Sequence, residues 1–343
     1  MNSAVAQLIG DLFNGDMPDD SDWLARLISN GLDRLPMPGS GSTLARWQAL
    51  AAVGQFDLSL TKLYEGHTDA LAIIAELEGD AARPEAGAWC VWAAEAPGGR
   101  TLLRPCDGGG DSGVTLGGAK FWCSGAASAD HALLTAWAED GSGPHLVALP
   151  LDQPGIRIDA GGWKAVGMAS SLSVNVSFDG AKGRRIGREK AYLSRPGFWH
   201  GGAGIAACWY GGAVGLANAL RKALMARPSS GDCCYQMASL GKVELALSET
   251  AATLRDAAQW IDSHPSGDAS RVALRARLSA ECCAKKVLDE VGKAMGATPF
   301  CLDEKFAKAA ADLPVFIRQS HADRDFAALG ERSLAREAAS WTL

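Results

Sequence analysis

The densest set of ionisable side chains near the C-terminus is Arg318, His321, Asp323, Arg324 and Asp325. An imidazole titrates close to neutrality, so His321 could serve there as a general base. Asp323 could do so if burial raised its pKa. Arg and Asp at such spacing equally suit a solvated, salt-bridged helix end that contributes little. A second set lies in mid-chain, where Lys120, the aromatic pair Phe121-Trp122 and Ser124 follow Gly117-Gly118. Local rules read this stretch as a tight Gly-Gly turn, a short strand carrying one Trp, a small-residue turn and a second strand. They do not explain why a Lys, two aromatics and a Ser come in this order. Other chemistries have less support. His67 and His264 fall beside expected turns and His131 and His145 at strand ends. His200 could face a ligand or be structural, and no two of these share metal-ligand spacing. Asp107-Gly108-Gly109-Gly110-Asp111 lacks the spaced oxygens of a calcium loop. No G-x-G-x-x-G follows a strand and opens a helix.

A chain of 343 residues, 48% hydrophobic and 21% charged, can bury a large core and form two or three domains. Its net charge of −6 gives no electrostatic case for nucleic-acid binding. The start, Met1-Asn2-Ser3-Ala4-Val5, has no basic n-region. The longest charge-poor stretch, Gly204 to Leu220, is too short and Gly-rich for a membrane span and reads as a closely packed core helix. The nine cysteines include no C-x-x-C, and Cys233-Cys234 and Cys282-Cys283 are adjacent pairs. They read as reduced thiols of a cytoplasmic protein.

The elements that must position these groups change type twice along the chain. Residues 1–86 carry helical periodicity, with Ala6, Leu8, Ile9, Leu12 and Phe13 on one face. From Trp89 the pattern becomes short strands: Trp89–Ala94, Thr101–Leu103, Phe121–Cys123, Ala132–Ala136, His145–Leu149 and Leu172–Phe178. Their spacing suggests a small barrel or sandwich over 87–190. Residues 191–343 return to helices, with stripes at Leu240, Val243, Leu247, Leu254 and Ile261 and at Leu274, Leu278, Cys282, Leu288 and Val291. Asp303 is a candidate cap for a further helix that ends or kinks near Pro314. The fold class is therefore α+β and multidomain.

The segment Gly118-Ala119-Lys120-Phe121-Trp122-Cys123-Ser124-Gly125-Ala126 resembles the G-x-K-x-W-I-[ST]-x-[AG] signature of the acyl-CoA dehydrogenase superfamily. Val166-Gly167-Met168-Ala169-Ser170-Ser171, followed by Val174–Asp179, is similar to the family's L-G-x-R-x-[ST] and its V-x-F-[DE] strand. Pro196-Gly197-Phe198-Trp199, leading into the Gly- and Ala-rich run from Ala206, resembles the first long helix of its bundle. The resemblance implies three domains, with a middle β-barrel and a C-terminal up-down four-helix bundle, and implies FAD as cofactor. Trp122 would then lie against the isoalloxazine, Ser124 would hydrogen-bond its N5 edge, and Ala93 and Ala94 would offer backbone contacts to its pyrimidine side. Lys293 and Gly296 stand where the family has Q-x-x-G-G near the cofactor diphosphate. The family also implies a homodimer or homotetramer and an acyl thioester substrate.

The departures from the family bear on chemistry. Ala94 replaces a Thr hydroxyl, and Arg227-Pro228-Ser229 stands where R-x-x-F-G is usual. No Glu occurs in Val315–Asp325, where the dehydrogenases place their base. The leading expectation is an FAD-dependent oxidoreductase that α,β-dehydrogenates an acyl-CoA-like substrate. The alternatives are a flavin monooxygenase on the same fold using His321, and a non-catalytic relative that binds an acyl thioester or a partner.

Overall fold

The computed structural model describes residues 3–14, 22–79, 84–106, 110, 112–226 and 233–335. Helices α1 (Ala4–Phe13), α2 (Trp23–Ser29), α3 (Thr43–Phe56) and α4 (Leu58–Glu78) come first. Strands β1 (Trp89–Trp92), β2 (Thr101–Pro105), β3 (Gly113–Cys123), β4 (His131–Ala138), β5 (His145–Pro150), β6 (Ile156–Asp159) and β7 (Val174–Ile186) follow. Helices α5 (Ala191–Ser194), α6 (Gly197–Met225), α7 (Cys234–Ser263), α8 (Ser270–Met295), α9 (Thr298–Leu302), α10 (Glu304–Phe316) and α11 (Asp323–Leu334) complete the chain. The order of helix, sheet and helix is the expected one. Strand β6 is the element that periodicity missed, because Ile-Arg-Ile-Asp is short and mostly exposed.

The chain divides into two compact units. One comprises Met1–Phe13, Pro36–Leu58 and Trp199–Leu343; the other comprises Asn14–Leu35 and Ser59–Phe198. A boundary at residue 86 thus separates types of secondary structure, while the helices before it are shared between the two packing units. The proposed limits 1–86, 87–190 and 191–343 describe the former.

In the barrel unit the strands run β1-β4-β2-β3-β7-β5, and a further β4–β5 pairing closes the ring. Closure removes the free edges that an open sheet must protect. Trp92, Leu116, Cys123, Val147, Val176 and Phe178 fill the interior. Outside, Ala70, Ile73 and Ile74 of α4 pack on Trp89, Leu133, Leu146 and Ile186. Each buried Ile there contributes roughly 1.5–3 kcal/mol. His67 lies within α4 and is buried, not beside a turn as its sequence context suggested. Its Nε2 is 3.2 Å from Asp33, and its Nδ1 accepts the Trp89 N–H at 3.0 Å. This imidazole ties the start of β1 to α4.

In the helical unit, α3 and α6 meet backbone to backbone. A Cβ at Gly54 would sit 2.6 Å from the Cys208 carbonyl oxygen, one at Gly211 would collide with the Ala51 carbonyl, and one at Gly215 would come to 2.9 Å from the Gln55 carbonyl. The Gly-rich face of α6 exists for this approach. Among the described residues α6 is the one helix long and apolar enough to cross a membrane, and 72% of its apolar window is buried in the protein. Asp303 caps α10 by accepting the Phe306 N–H at 3.0 Å, and Pro314 sits in that helix's last turn, as expected. On α8 the stripe turns by one residue: Cys283 and Val287 are buried, whereas Cys282 is exposed. None of the nine cysteines, all among the described residues, is in a disulfide.

Candidate functional site

Two places carry the sequence-derived candidates, and each belongs to one unit. In the barrel unit, β3 is bent by two irregularities against β7, one at Leu116/Gly117 and one between Lys120 and Cys123. The expected Gly-Gly turn is instead continuous strand, with Gly117 and Gly118 paired to Asp179 and Phe178 and the extra residue, Gly180, on β7. Gly118 has φ +91°, and a Cβ on it would collide with the Arg100 carbonyl. At the second irregularity Lys120 pairs with Val176 and Cys123 with Val174, so Phe121 and Trp122 together face one residue. Such bulges re-aim side chains.

Lys120 turns inward and is only 2% exposed. Its ammonium donates to Glu95 at 2.7 Å, to the Thr135 hydroxyl at 2.7 Å and to the Thr135 carbonyl at 3.0 Å. Burial pushes its pKa down against the pull of Glu95. Burial would likewise raise the Glu95 carboxyl, but hydrogen bonds from Lys120 and Thr135 outweigh it and hold it below its usual range. The signature Lys is therefore a structural pin whose donors are all used inside the barrel.

Trp122 takes the opposite direction. Its φ is +63° and its side chain is 61% exposed. A bulky residue in the left-handed region costs on the order of 1–3 kcal/mol and persists only where its surroundings hold it. Those surroundings are explicit: the Ser124 N–H donates to the Trp122 carbonyl at 3.0 Å, and the Trp92 indole N–H donates to the Ser124 carbonyl at 3.0 Å. Cys123, between them, is buried, and desolvation raises its thiol to about 12. That thiol is a packing group, not a nucleophile.

The Ser124 side chain is 8% exposed and lies 2.7 Å from the Ser173 hydroxyl, which is 3.1 Å from that of Ser171. Ser171 donates to the Met168 carbonyl at 2.8 Å, and the Gly125 N–H donates to the Ser171 carbonyl at 3.1 Å. Met168 and Leu172, which flank the turn Ala169–Ser171, are also left-handed, with φ of 60° and 39°. Ser171 and Ser173 were absent from the expected site; the signal for them was the Ser-x-Ser spacing just before β7. Ala93 and Ala94 follow β1 directly, the first half-buried and the second exposed.

In the helical unit, the chain leaves α10 through a single turn at Ile317–Gln319 and enters α11 with Ala322 at φ +47°. Asp325 is 8% exposed and accepts the His321 N–H at 3.0 Å. The His321 Nδ1 lies 3.3 Å from the other oxygen of the same carboxylate, and the imidazole is 57% exposed. A carboxylate only accepts hydrogen bonds, so Nδ1 carries a proton in this contact. Asp323 is exposed on the first turn of α11. Arg318 reaches Glu281 at 3.4 Å. Glu281 is fully buried; burial pushes its carboxyl up, while hydrogen bonds from Lys285 and Ser320 prevail and keep it low.

Lys293 and Gly296 lie elsewhere. Arg318 touches α8 at Glu281, roughly 18 Å of helix rise from Lys293. Lys293 is exposed and paired with Asp289 at 2.5 Å. Gly296, at φ +67°, ends α8 by donating its N–H to the Gly292 carbonyl at 3.0 Å. A cleft of about 310 Å³ adjoins this end, lined by Leu220, Leu224, Gln236, Met295 and Pro299 among others. Arg227 and most of the Asp107–Asp111 loop lie outside the described residues.

No protein-family model matches the sequence, and no curated protein matches it. The structure is similar to several solved ones. FMN-bound TdsC from Paenibacillus sp. A11-2, a dibenzothiophene monooxygenase, aligns at a TM-score of 0.76 with 18% identity, covering 95% of this chain and 95% of that chain. The methanesulfinate monooxygenase MsuC from Pseudomonas fluorescens aligns at 0.77 with 18% identity over 97% of both chains. KijD3, in complex with FMN and a dTDP-linked amino keto sugar, aligns at 0.76 with 19% identity over 98% of this chain and 93% of that one. These likenesses show the fold: a small closed barrel with helices before and after it in the chain, the acyl-CoA dehydrogenase-like fold that the three sequence motifs implied.

Proposed function

We propose that this protein is a flavin-dependent monooxygenase that uses FMN to oxygenate a small molecule. The observation that carries the reading is at the C-terminal helix. Where an acyl-CoA dehydrogenase would place a carboxylate base, this chain holds His321 on Asp325 with its ring more than half exposed. The nearby carboxylate of Glu281 is buried and ion-paired. Solved structures of this architecture include two monooxygenases, and TdsC and KijD3 contain FMN. The α,β-dehydrogenation expected first has no base to run on in that stretch of sequence.

The barrel residues fit a flavin. An exposed indole on a strained bulge, beside a nearly buried hydroxyl, offers one apolar face and one polar contact. Trp122 would cover part of the ring system, Ser124 would meet N5, and the backbone of Ala93 and Ala94 would meet the pyrimidine edge. We take FMN rather than FAD because TdsC and KijD3 hold FMN. When bound, the flavin supplies the electrons by which one oxygen atom of O₂ enters the substrate and the other leaves as water. In this reading His321 is the residue that holds or moves a proton, and Asp325 fixes its ring. His321 is preferred to Asp323 because a buried partner orients it. An acyl thioester stands as the second substrate class, and a homodimer or homotetramer remains the proposed assembly.

The test is reconstitution. Purified protein with reduced FMN should consume O₂ and oxygenate a probe such as indole, and His321→Ala should retain FMN affinity while losing turnover. Protein that stays colourless with micromolar FMN, or an unchanged His321→Ala rate, would sink the proposal.

A further inference from the structure

Every hydroxyl carries one proton, and that count decides which way the three serines at the end of β3 point. Ser171 donates to the Met168 carbonyl at 2.8 Å, so its proton is committed. The 3.1 Å contact between Ser171 and Ser173 is then a hydrogen bond only if Ser173 donates. The 2.7 Å contact between Ser173 and Ser124 in turn requires Ser124 to donate. The reverse assignment would set lone pair against lone pair at one of the two contacts. Ser124 is left with lone pairs alone for any fourth partner.

The arrangement is held from both sides. Three non-glycine residues in the left-handed region, Trp122, Met168 and Leu172, surround the relay. The Gly125 N–H to Ser171 carbonyl bond and the Trp92 indole to Ser124 carbonyl bond fix the two turns that carry it. Strain of this kind persists where the surrounding structure over-determines it, and it clusters at functional sites.

We infer that Ser171 and Ser173 are positioning residues that make Ser124 a hydrogen-bond acceptor, so that the barrel prefers the reduced flavin, whose N5 carries a hydrogen, over the oxidised flavin, whose N5 does not. The inference rests on the flavin reading above and adds a direction to it. Ser173→Ala removes the acceptor for the Ser124 proton, which then becomes free to donate. Oxidised FMN should gain relative to reduced FMN.

The experiment measures the dissociation constants of oxidised and reduced FMN, anaerobically for the latter, and the midpoint potential of the bound cofactor. Ser173→Ala should lower the ratio of oxidised to reduced dissociation constants about tenfold, which for a two-electron couple is a fall of about 30 mV. Ser171→Ala should act in the same sense but less. Ser173→Thr, which keeps the hydroxyl at a half-buried position, should restore the wild-type ratio. In a Ser124→Ala background, Ser173→Ala should have no further effect. Wild-type protein that binds FMN, with a ratio unmoved by Ser173→Ala or moved equally without Ser124, overturns the relay alone. Wild-type protein that binds FMN in neither state overturns the flavin reading and the relay with it.

Discussion

The two candidate regions are built on opposite principles. At the end of β3 a rigid barrel holds residues in unfavourable conformations: a Trp at φ +63°, two further left-handed residues on the adjoining turn, and a bulge that sends Lys120 inward and Trp122 outward. At the start of α11 one carboxylate does most of the work, with Asp325 holding both the backbone and the ring of His321 at an exposed helix end. A barrel edge can keep a group fixed for binding because closure and burial supply the energy that strain costs. A helix end gives a group room to exchange protons with its surroundings. On the proposed reading, binding falls to the first region and proton transfer to the second.

Ways to break that contrast follow from the largest effect to the smallest. His321→Ala should lower turnover about 10²–10⁴-fold with FMN affinity unchanged, as single general acid–base residues do; steady-state rates and a flavin titration check both halves. Lys120→Ala should destabilise the barrel by about 2–3 kcal/mol in denaturant unfolding. That is less than the cost of breaking a wholly buried pair, since Glu95 is itself partly exposed. A variant that unfolds like wild type would show that the pin does not support the bulge. Gly211→Ala should cost about 1–3 kcal/mol by forcing α6 off α3, while Gly241→Ala on α7, with nothing near its missing Cβ, should be neutral or slightly stabilising.

The smallest effect is one of pH. Lys286 first, then Lys242 and Ser239, hold the Glu290 carboxyl at about 2, against an ordinary 4.5. The unfolded chain therefore takes up this proton at higher pH than the folded one. The stabilisation from this group is complete above its ordinary value and fades as pH falls towards 2. Stability measured from pH 6 to pH 3 should fall less steeply in Glu290→Gln than in wild type; equal slopes would remove Glu290 from the acid response.

Much of this protein was decided in the sequence itself. Period and punctuation separated the helical ends from the β middle, and Asp303 marked its helix because a capping carboxylate acts on the next turn alone. The Gly-Ala composition of α6 announced a close approach without naming α3 as the partner. The order of Lys120, Trp122 and Ser124 singled out the end of β3, where the strand carries its second irregularity.

Tertiary structure decided the rest, because it depends on residues far apart in the chain. The Gly117-Gly118 pair read as a turn and is continuous strand, since β7 pairs with it and beyond it. His67 read as a turn residue and is a buried link between Asp33 and Trp89, contacts that no local window contains. The roles of Ser171 and Ser173 came into view only when β3 and β7 were paired, which sets their hydroxyls beside Ser124, while Asp325 became a partner of His321 only once the turn at Ala322 folded one onto the other. A sequence fixes which groups exist and how each element is patterned; the direction of a proton in a chain of hydroxyls is a property of distances, and distances belong to the folded molecule.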